Sequence, residues 1–524
     1  MDTYIIANGG CGERLASVML ALYQCGFYEN RNNDDEITDP IKGILIVDND
    51  LSNRALVKCE DIVNGINSMN RFVERNYPQI KCVKWAPMVT GREQLNSFKG
   101  DNEKRALDLI ATDAERNHGI NGIGYAGHVN IGVTVVNSAL ETEENQKIFN
   151  TFLDSAANRE GGGEARFIII GSTHGGTGAA LNTAIAKKIR DYYGQHDPAR
   201  IKIYGLFMLS YYSIKPADGE EDGIDIDPNQ FRPSDIEALE AYRGMDLVNG
   251  TFENILLCGF DPRNPTSLKH TTGGNNQNNR FSLPELLMCA GAYFMFDPEN
   301  KVFPNKFLGV NLQDTFDGTI HWNNVPYGER LKKCIEKMAL FACSMSEGTK
   351  VLGGWSIYLT ERFHWRFYMD KNSEDKERPG FNAQRDGILI FLNKLWNMLY
   401  QISTNVNGDW DKFTVLFKES VLTCHITEED STQESDAPET ISIPDGFGWI
   451  SKFTSADCSV INYGDGNKQF PTMSNIGSKF KRYLGSNARS LTPPPDDDEE
   501  AKKLYYEIRK KLYFTSLFEA IYDL

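Results

Sequence analysis

Glycine-rich segments at the ends of apolar runs are the residues of this chain best suited to chemistry. The clearest is Gly171–Ala180, read GSTHGGTGAA, which follows the apolar run Phe167–Gly171 and opens a helical pattern. Glycines let a backbone approach a ligand closely, and consecutive backbone N–H groups at a helix start attract anions. We therefore expect phosphate binding here rather than a purely structural turn, with the Thr177 hydroxyl as a further donor. The candidate residues are His174, Gly175, Gly176, Thr177, Gly178 and Ala179.

A second loop of this kind follows the first apolar run of the chain. Tyr4–Asn8 leads into the residues GGCGER and then into another helical pattern. Taken alone, this loop fits a dinucleotide-binding turn as well as a phosphate loop, although the spacing GxGxxG is missing. Its candidate residues are Gly9, Gly10, Gly12 and Arg14.

Two further segments belong with these loops. The apolar run Gly43–Asp48 is followed by Asn49 and Asp50, and the carboxylates of Asp48 and Asp50 can reach a magnesium ion through water, or ribose hydroxyls. Solvated turn residues are the alternative there.

The other segment is Gly122–His128, read GIGYAGH, a glycine-rich turn with Ala126, Gly127 and His128 as candidates. Both His128 and His174 are either loop fillers or phosphate donors. Ligands of open α/β sheets bind at the carboxyl ends of the strands, so we expect all four segments to form one site.

The elements that must hold these loops follow from the hydrophobic pattern. Short, continuously apolar runs predict strands that are covered on both faces. Helical spacing of apolar residues in Gly12–Cys25 and Ala179–Tyr193 predicts helices between them. This alternation predicts an α/β fold with a mostly parallel, Rossmann-like sheet. The predicted strands are Tyr4–Asn8, Gly43–Asp48, Cys82–Pro87, Phe167–Gly171, Ile203–Leu209 and Asn254–Gly259.

The pattern changes in the second half of the chain. Pro216–Ser234 and Thr266–Arg280 are polar and predict loops, and Leu283–Phe296 predicts one long, buried central helix. We expect a nucleotide-binding domain at 1–296, a mixed α+β domain at 297–490, and an acidic linker with a C-terminal helix at 491–524. That last helix, about Ala501–Tyr522, is predicted to dock on its own body, and a partner-binding tail is the alternative.

Composition limits the function classes. The net charge is −17, which argues against general binding to nucleic acids or anionic lipids. The ten cysteines contain no CxxC pair, so a structural zinc site is not expected. No apolar stretch reaches the roughly 18 residues that cross a bilayer, and no GxxxxGK[ST] motif is present. We expect a soluble, cytoplasmic protein without membrane association.

The two glycine loops, in this order, resemble those of the tubulin/FtsZ superfamily. HGGTGAA resembles the signature GGGTGSG, with His174 and Ala180 as departures, and ANGGCGERLA resembles the first phosphate loop, with Cys11 at the cysteine that contacts the nucleotide. VDND and GYAGHVNIG resemble two further loops of the site. The resemblance covers about 1–296. It implies a Rossmann-like GTPase domain that binds GTP or GDP with Mg²⁺ and assembles head-to-tail into filaments.

The resemblance also implies roles outside the glycine loops. Phe281 would stack on the base, and Asn278, Asn279 or Asn229 would read its edge. The catalytic acid, supplied by the next subunit after the central helix, would be Asp297 or Glu299, although the FtsZ pattern NxDxxD is absent here. A protein partner could bind the second domain or the C-terminal helix. The alternatives are a non-hydrolysing, nucleotide-bound sensor or structural module and, less favoured, a dinucleotide-dependent oxidoreductase.

Overall fold

The structure is a computed structural model that describes a large part of the chain. The described residues are 1–32, 37–50, 53–75, 77–89, 94–97, 108–109, 111–117, 125, 128–157, 163–194, 200–214, 231–244, 250–259, 269–270, 279–297, 306–310, 322–345, 381–404, 479–480, 482–486, 491–495 and 497–523.

Among the described residues, a seven-stranded, all-parallel sheet forms the centre of the molecule. Its strands are β1 (Asp2–Asn8), β2 (Ile41–Val47), β3 (Lys81–Trp85), β4 (Ala165–Ser172), β5 (Ile201–Met208), β7 (Ile255–Cys258) and β9 (Phe307–Gly309). They lie in the order β3-β2-β1-β4-β5-β7-β9. Two short strands, β6 (Ser213–Ile214) and β8 (Lys269–His270), pair separately. All six predicted strands are confirmed, and so is the α/β fold class with its parallel sheet.

Helices lie between the strands and follow them. They are α1 (Gly9–Gln24), α2 (Arg54–Phe72), α3 (Asp113–Asn117), α4 (Val129–Leu140), α5 (Glu143–Ala156), α6 (Gly176–Tyr193), α7 (Phe231–Gly244), α8 (Leu283–Gly291), α9 (Gly328–Met345), α10 (Phe381–Thr404) and α11 (Glu499–Tyr522). Single 3₁₀ turns occur at Leu95–Ser97, Ala292–Met295 and Trp322–Asn324.

Both faces of the sheet are buried, which explains why its strands are continuously apolar. Neighbouring residues of a strand point to opposite faces, and in β1 the adjacent Ile5 and Ile6 enter different cores, both with no exposed surface. Ile5 packs in the core that contains α1, α2 and α8, and Ile6 in the core that contains α4, α5 and α6. The sheet is therefore a middle layer between two layers of helices.

The strand order reverses direction between β1 and β4. Moving outward from β1, the sheet runs β2 and β3 on one side and β4, β5, β7 and β9 on the other. The connections after β1 and after β4 therefore leave toward opposite faces and open a crevice at the carboxyl ends of these strands. This is the topological switch point, where open α/β sheets bind their ligands.

Some predicted bounds differ from the observed ones. The helical pattern at Leu283–Phe296 is not one α-helix, because α8 ends at Gly291 and a 3₁₀ turn follows. Of the predicted loop Pro216–Ser234, the end is already helical, since α7 begins at Phe231, and 216–230 lie outside the described residues. The seventh strand, β9, comes from beyond residue 296 and pairs with β7. The division into domains stays a prediction.

The C-terminal helix docks on the body of the protein, as predicted. The Arg75 guanidinium, buried after α2, lies 4.2 Å from the ring centre of Phe518 and 5.0 Å from that of Tyr522, both in α11. The Tyr522 hydroxyl donates to the Cys25 carbonyl at 3.1 Å. Within the part of the chain that the structure describes, no helix is long and apolar enough to cross a membrane.

Candidate functional site

The two glycine loops contact each other at the switch point. Gly9 has a φ of +67°, the left-handed region that glycine adopts without strain. A β-carbon at Gly9 would lie 3.1 Å from the β-carbon of Thr177, and one at Gly178 would lie 3.2 Å from the Asn8 carbonyl oxygen. Backbone therefore touches backbone across the two loops, and both need glycine for this contact.

Three helices begin at this edge without a side-chain cap. The preceding residues are Asn8 for α1, Gly175 for α6 and His128 for α4, and none of their side chains bonds to the first-turn N–H groups. The start of α4 lies against that of α6, since a β-carbon at Gly132 would be 2.6 Å from the Gly176 carbonyl oxygen. Uncapped first-turn N–H groups attract anions, so three helix starts favour phosphate at one place.

Buried carboxylates lie beside these helix starts. Asp48 accepts hydrogen bonds from the Asp50 N–H at 3.1 Å and the Asn53 amide at 3.0 Å, and the Thr177 hydroxyl lies 3.5 Å away. Burial raises the pKa of Asp48 to about 6 in spite of these donors, and the charge of Asp50 adds to the rise. The sequence analysis did not select Glu13, yet it has no exposed surface.

Glu13 is the least satisfied group of the site. Both of its carboxylate oxygens are buried, and neither has a hydrogen-bond partner among the described residues. Burial, followed by the charge of Asp48, raises the pKa of Glu13 well above its usual range. Burying an ion without compensation is costly, so this carboxyl group needs either a proton or a cation.

Arg14 lies inside the protein, in a network that joins α1 to α8. Its Nε donates to Glu285 at 2.7 Å and its Nη2 to the Tyr211 hydroxyl at 3.0 Å, and that hydroxyl donates to Glu285 at 2.7 Å. Cys11 lies 3.6 Å from the same hydroxyl, and burial raises the pKa of its thiol to about 11. Arg14 thus supports the GGCGER loop from the interior of the protein. Its predicted contact with nucleotide stays a prediction.

Each histidine of the glycine loops is held by a carboxylate. The Nδ1 of His174 lies 3.1 Å from Asp235 of α7, which also accepts from the Thr173 hydroxyl and, at 2.7 Å, from the Ser210 N–H. These bonds, led by the one from His174, lower the pKa of Asp235 even though burial opposes them. The side chain of His174 has no exposed surface, so its contact with Asp235 holds the Gly171–Ala180 loop in place.

The other histidine is more accessible. His128 has a side chain that is 22% exposed, and its Nδ1 lies 2.7 Å from Glu115 of α3. Its Nε2 has no hydrogen-bond partner among the described residues. The two histidines therefore differ in the exposure of the ring, although the Nε2 atom of His128 is itself buried.

The residues predicted to read the base lie between α2 and α10. Phe281 is buried, with the Lys58 ammonium 5.6 Å from its ring centre and its N–H donating to Gln401 at 3.2 Å. The carbonyl of Asn279 accepts from Lys58 at 3.0 Å. Burial lowers the pKa of Lys58 to about 8. Base reading by Phe281 and Asn279 stays a prediction.

Asp297 lies at the other edge of the sheet. Near the start of α8, Glu285 lies beside Arg14, at the edge with the glycine loops. From there the chain crosses the sheet, and at its end the ring centre of Phe296 lies 4.7 Å from that of Tyr28. The Arg166 guanidinium at the start of β4 lies 4.9 Å from the Phe296 ring. Asp297 therefore lies near the amino ends of the strands, away from the glycine loops of its own chain.

Five predicted residues, Ala126, Gly127, Asn229, Asn278 and Glu299, lie outside the described residues. Conversely, the sequence analysis missed the four acids that support the site, which are Glu13, Glu115, Asp235 and Glu285. Local signals existed for Glu115 and Glu285, since Thr112–Glu115 and Ser282–Glu285 both have the [ST]-x-x-E spacing of a capping box. The side-chain partners of Asp235 and Glu285 are distant in sequence.

None of the known protein-family models matches the chain, and no curated protein matches it either. The function must therefore be inferred from the site itself.

Proposed function

We propose that this protein binds a purine nucleoside triphosphate, GTP by its resemblance to tubulin and FtsZ, and assembles head-to-tail. The observation that carries the proposal is the meeting of both glycine loops and three uncapped helix starts at the switch point. Phosphate groups carry the charge that such helix starts attract. The half-buried Gly10 and Gly175 leave backbone accessible at this point.

A divalent cation fits the same edge. Glu13, Asp48 and Asp50 supply hard oxygen ligands, which Mg²⁺ prefers, and the two unpartnered oxygens of Glu13 support a positive charge here. Within the described part of the chain, no group of three His, Cys, Asp or Glu side chains is arranged to hold a metal. Magnesium would therefore need phosphate oxygens as further ligands and would neutralise phosphate charge beside these acids.

Head-to-tail assembly is supported by the separation of the two predicted halves of the active site. The phosphate-binding loops lie at the carboxyl edge of the sheet, and Asp297 lies at the amino edge. A carboxylate at the far edge can act only on the nucleotide of another subunit. A repeated contact between unlike surfaces produces a filament when it does not close into a ring, so hydrolysis would depend on assembly.

The first test identifies the ligand. Nucleotide released from the purified protein, analysed by mass spectrometry, should be GTP or GDP. Thr177→Val removes the hydroxyl beside Asp48 with little change of shape, and we expect titration calorimetry to show affinity weakened about tenfold. Thr151→Val on α5 is the matched control, because its hydroxyl bonds only within its own helix. Wild-type affinity in Thr177→Val, or release of NAD, would contradict the proposal.

The second test concerns assembly. Light scattering and electron microscopy with GTP and Mg²⁺ should show polymers above a critical protein concentration. If the nucleotide-loaded chain stays monomeric at all concentrations, the non-hydrolysing sensor replaces the assembly protein.

A further inference from the structure

Tyr125 lies just before the start of α4, and the sequence analysis did not select it. Its side chain is 1% exposed and belongs to the core that contains α4 and α6. Its hydroxyl oxygen is buried and has no hydrogen-bond partner among the described residues. Buried tyrosine hydroxyls usually find a partner, because leaving one without a hydrogen bond is costly. A ligand that accepts this hydrogen would remove the cost.

The ring of Tyr125 is held where α4 meets α6. A β-carbon at Gly132 of α4 would lie 3.0 Å from the Tyr125 Cδ2 atom and 2.6 Å from the carbonyl oxygen of Gly176, the first residue of α6. The ring and the start of α6 therefore pack against the same glycine. This contact places Tyr125 directly beside the helix start that follows the Gly171–Ala180 loop.

The hydroxyl of Tyr125 lies in the field of Asp48, immediately after β2. Burial, followed by the charge of Asp48, raises the pKa of Tyr125 far above its usual range. The Thr177 hydroxyl, in the first turn of α6, lies 3.5 Å from the same carboxylate. Because its pKa is raised, the Tyr125 hydroxyl keeps its hydrogen near neutral pH and can donate it.

The helix starts of the site lie in a row along the carboxyl edge. The ion pair of Arg14 with Glu285 joins α1 to α8, and α1 meets α6 at Gly9. At one end of the row, α6 meets α4 beside Tyr125. At the other end, Phe281, predicted to stack on the base, precedes α8. A nucleotide that lies along this row with its base at α8 directs its outermost phosphate group toward Tyr125.

The proposed cation position agrees with this direction. Magnesium is expected beside Asp48, and the metal ion of a nucleoside triphosphate site bridges the two outer phosphate groups. The acceptor nearest to the Tyr125 hydroxyl is therefore an outer phosphate oxygen rather than the ribose or the base.

We propose that Tyr125 is a specificity-determining residue whose hydroxyl donates to the outermost phosphate group of the bound nucleotide, so that the site prefers a triphosphate to a diphosphate. This inference rests on the proposed function and adds a side-chain donor to the backbone N–H groups of the helix starts. Hydrogen bonds to a charged acceptor are stronger than neutral ones. Because a diphosphate lacks the outermost group, only triphosphate binding should depend on this hydroxyl.

The test compares two probes by titration calorimetry with Mg²⁺, the β,γ-imido analogue of GTP and GDP. Tyr125→Phe removes the hydroxyl and keeps the ring that packs at Gly132. Its affinity for the triphosphate analogue should be about tenfold weaker than that of wild type, because one hydrogen bond to a charged group is lost. Its affinity for GDP should stay close to that of wild type.

Thermal unfolding without nucleotide separates a ligand contact from structural support. A hydroxyl without a protein partner does not stabilise the free protein, so Tyr125→Phe should unfold at a temperature no lower than wild type. Tyr28→Phe is the contrasting control, because the buried Tyr28 hydroxyl donates to the Cys289 carbonyl at 2.6 Å. This control should unfold at a lower temperature and bind both probes like wild type.

Three results would overturn the inference while leaving nucleotide binding intact. They are equal losses of affinity for both probes, wild-type affinity of Tyr125→Phe for the triphosphate analogue, and a lower unfolding temperature of this variant without nucleotide. If wild type binds neither probe, the proposed function fails, and the inference fails with it.

Discussion

The two edges of the sheet use polar groups in different ways. At the amino edge, such groups pair with each other: Arg166 lies 3.3 Å from Asp39, and the Met1 ammonium donates to the Thr38 carbonyl at 3.0 Å. At the carboxyl edge, Glu13 and the Nε2 of His128 have no hydrogen-bond partner in the described structure. An unsatisfied buried polar group costs about 1–3 kcal/mol. The amino edge accepts this cost too, at the Arg166 Nε, but only at the carboxyl edge described here do both oxygens of one buried carboxyl group, that of Glu13, lack a partner among the described residues, and this favours a cation or a ligand at that edge.

The largest effect should come from Gly12, where α1 touches the sheet. A β-carbon there would lie 2.5 Å from the Ile170 carbonyl oxygen and 3.2 Å from the Ala7 carbonyl carbon, so α1 would have to move. We expect Gly12→Ala to lower the free energy of unfolding by about 3 kcal/mol and to abolish nucleotide binding. Urea denaturation measures the first and calorimetry the second.

Gly250→Ala is the control for this change, because among the described residues a β-carbon there has no neighbour within 4 Å. It should be close to neutral. If Gly12→Ala is as stable as this control, the GGCGER loop does not depend on close contact between α1 and β4.

The second effect is a pH dependence that belongs to the carboxyl edge. Burial raises the pKa of Asp48 to about 6 in the fold, from its ordinary value of 3.8. Its contribution to stability is therefore complete below about pH 4 and is lost as the pH rises to about 6, which amounts to roughly 2–3 kcal/mol.

Comparison with Asp48→Asn isolates this contribution. In the nucleotide-free protein the variant should gain stability relative to wild type as the pH rises from 4 to 7, and thermal unfolding measures the difference. Mg²⁺ with nucleotide should reduce the difference, because a cation stabilises the ionised form. A constant difference across this range would mean that Asp48 is solvated.

The third prediction removes a buried guanidinium from the amino edge of the sheet instead. Arg166→Met keeps the apolar stem and removes the guanidinium from Asp39, from the Thr3 hydroxyl and from the Phe296 ring. We expect a loss of about 1–2 kcal/mol in the free energy of unfolding, with nucleotide affinity unchanged. Thr177→Val should do the reverse, with a loss of affinity but not of stability. If both variants changed both properties, the division between the edges would be wrong.

The sequence predicted this division only in part. Strands and loop positions follow from local patterns, since continuous apolar runs such as Phe167–Gly171 can only be buried and glycines follow them directly. Strand order depends on contacts between distant residues, which no local pattern contains. The same holds for the ion pair of Arg14 with Glu285, 271 positions apart, and the bond of His174 with Asp235, 61 positions apart. The helical spacing of Leu283–Phe296 also did not reveal the change to a 3₁₀ turn.

The smallest effect on a single subunit is expected for Asp297. It is half-buried near Tyr293 and Tyr327. Burial raises the pKa of both tyrosine hydroxyls, and the negative charge of Asp297 raises it further. Asp297→Asn should leave the stability and the nucleotide affinity of the isolated chain within experimental error, because the glycine loops lie at the opposite edge. If Asp297 completes the site of the next subunit, only the turnover of assembled protein should fall, by tenfold or more.

Mixing two impaired variants, at a GTP concentration too low to fill Thr177→Val but sufficient for wild type, tests this dependence between subunits. Thr177→Val subunits keep Asp297 but bind nucleotide poorly, and Asp297→Asn subunits bind nucleotide but lack the acid. In a head-to-tail polymer of equal parts, about a quarter of the contacts would join a working loop edge to a working Asp297 edge. Turnover should therefore recover to about that fraction of the wild-type rate, measured as phosphate release above the critical concentration. A mixture no more active than its components would place the catalytic group elsewhere, and undiminished turnover in Asp297→Asn alone would remove Asp297 from the reaction.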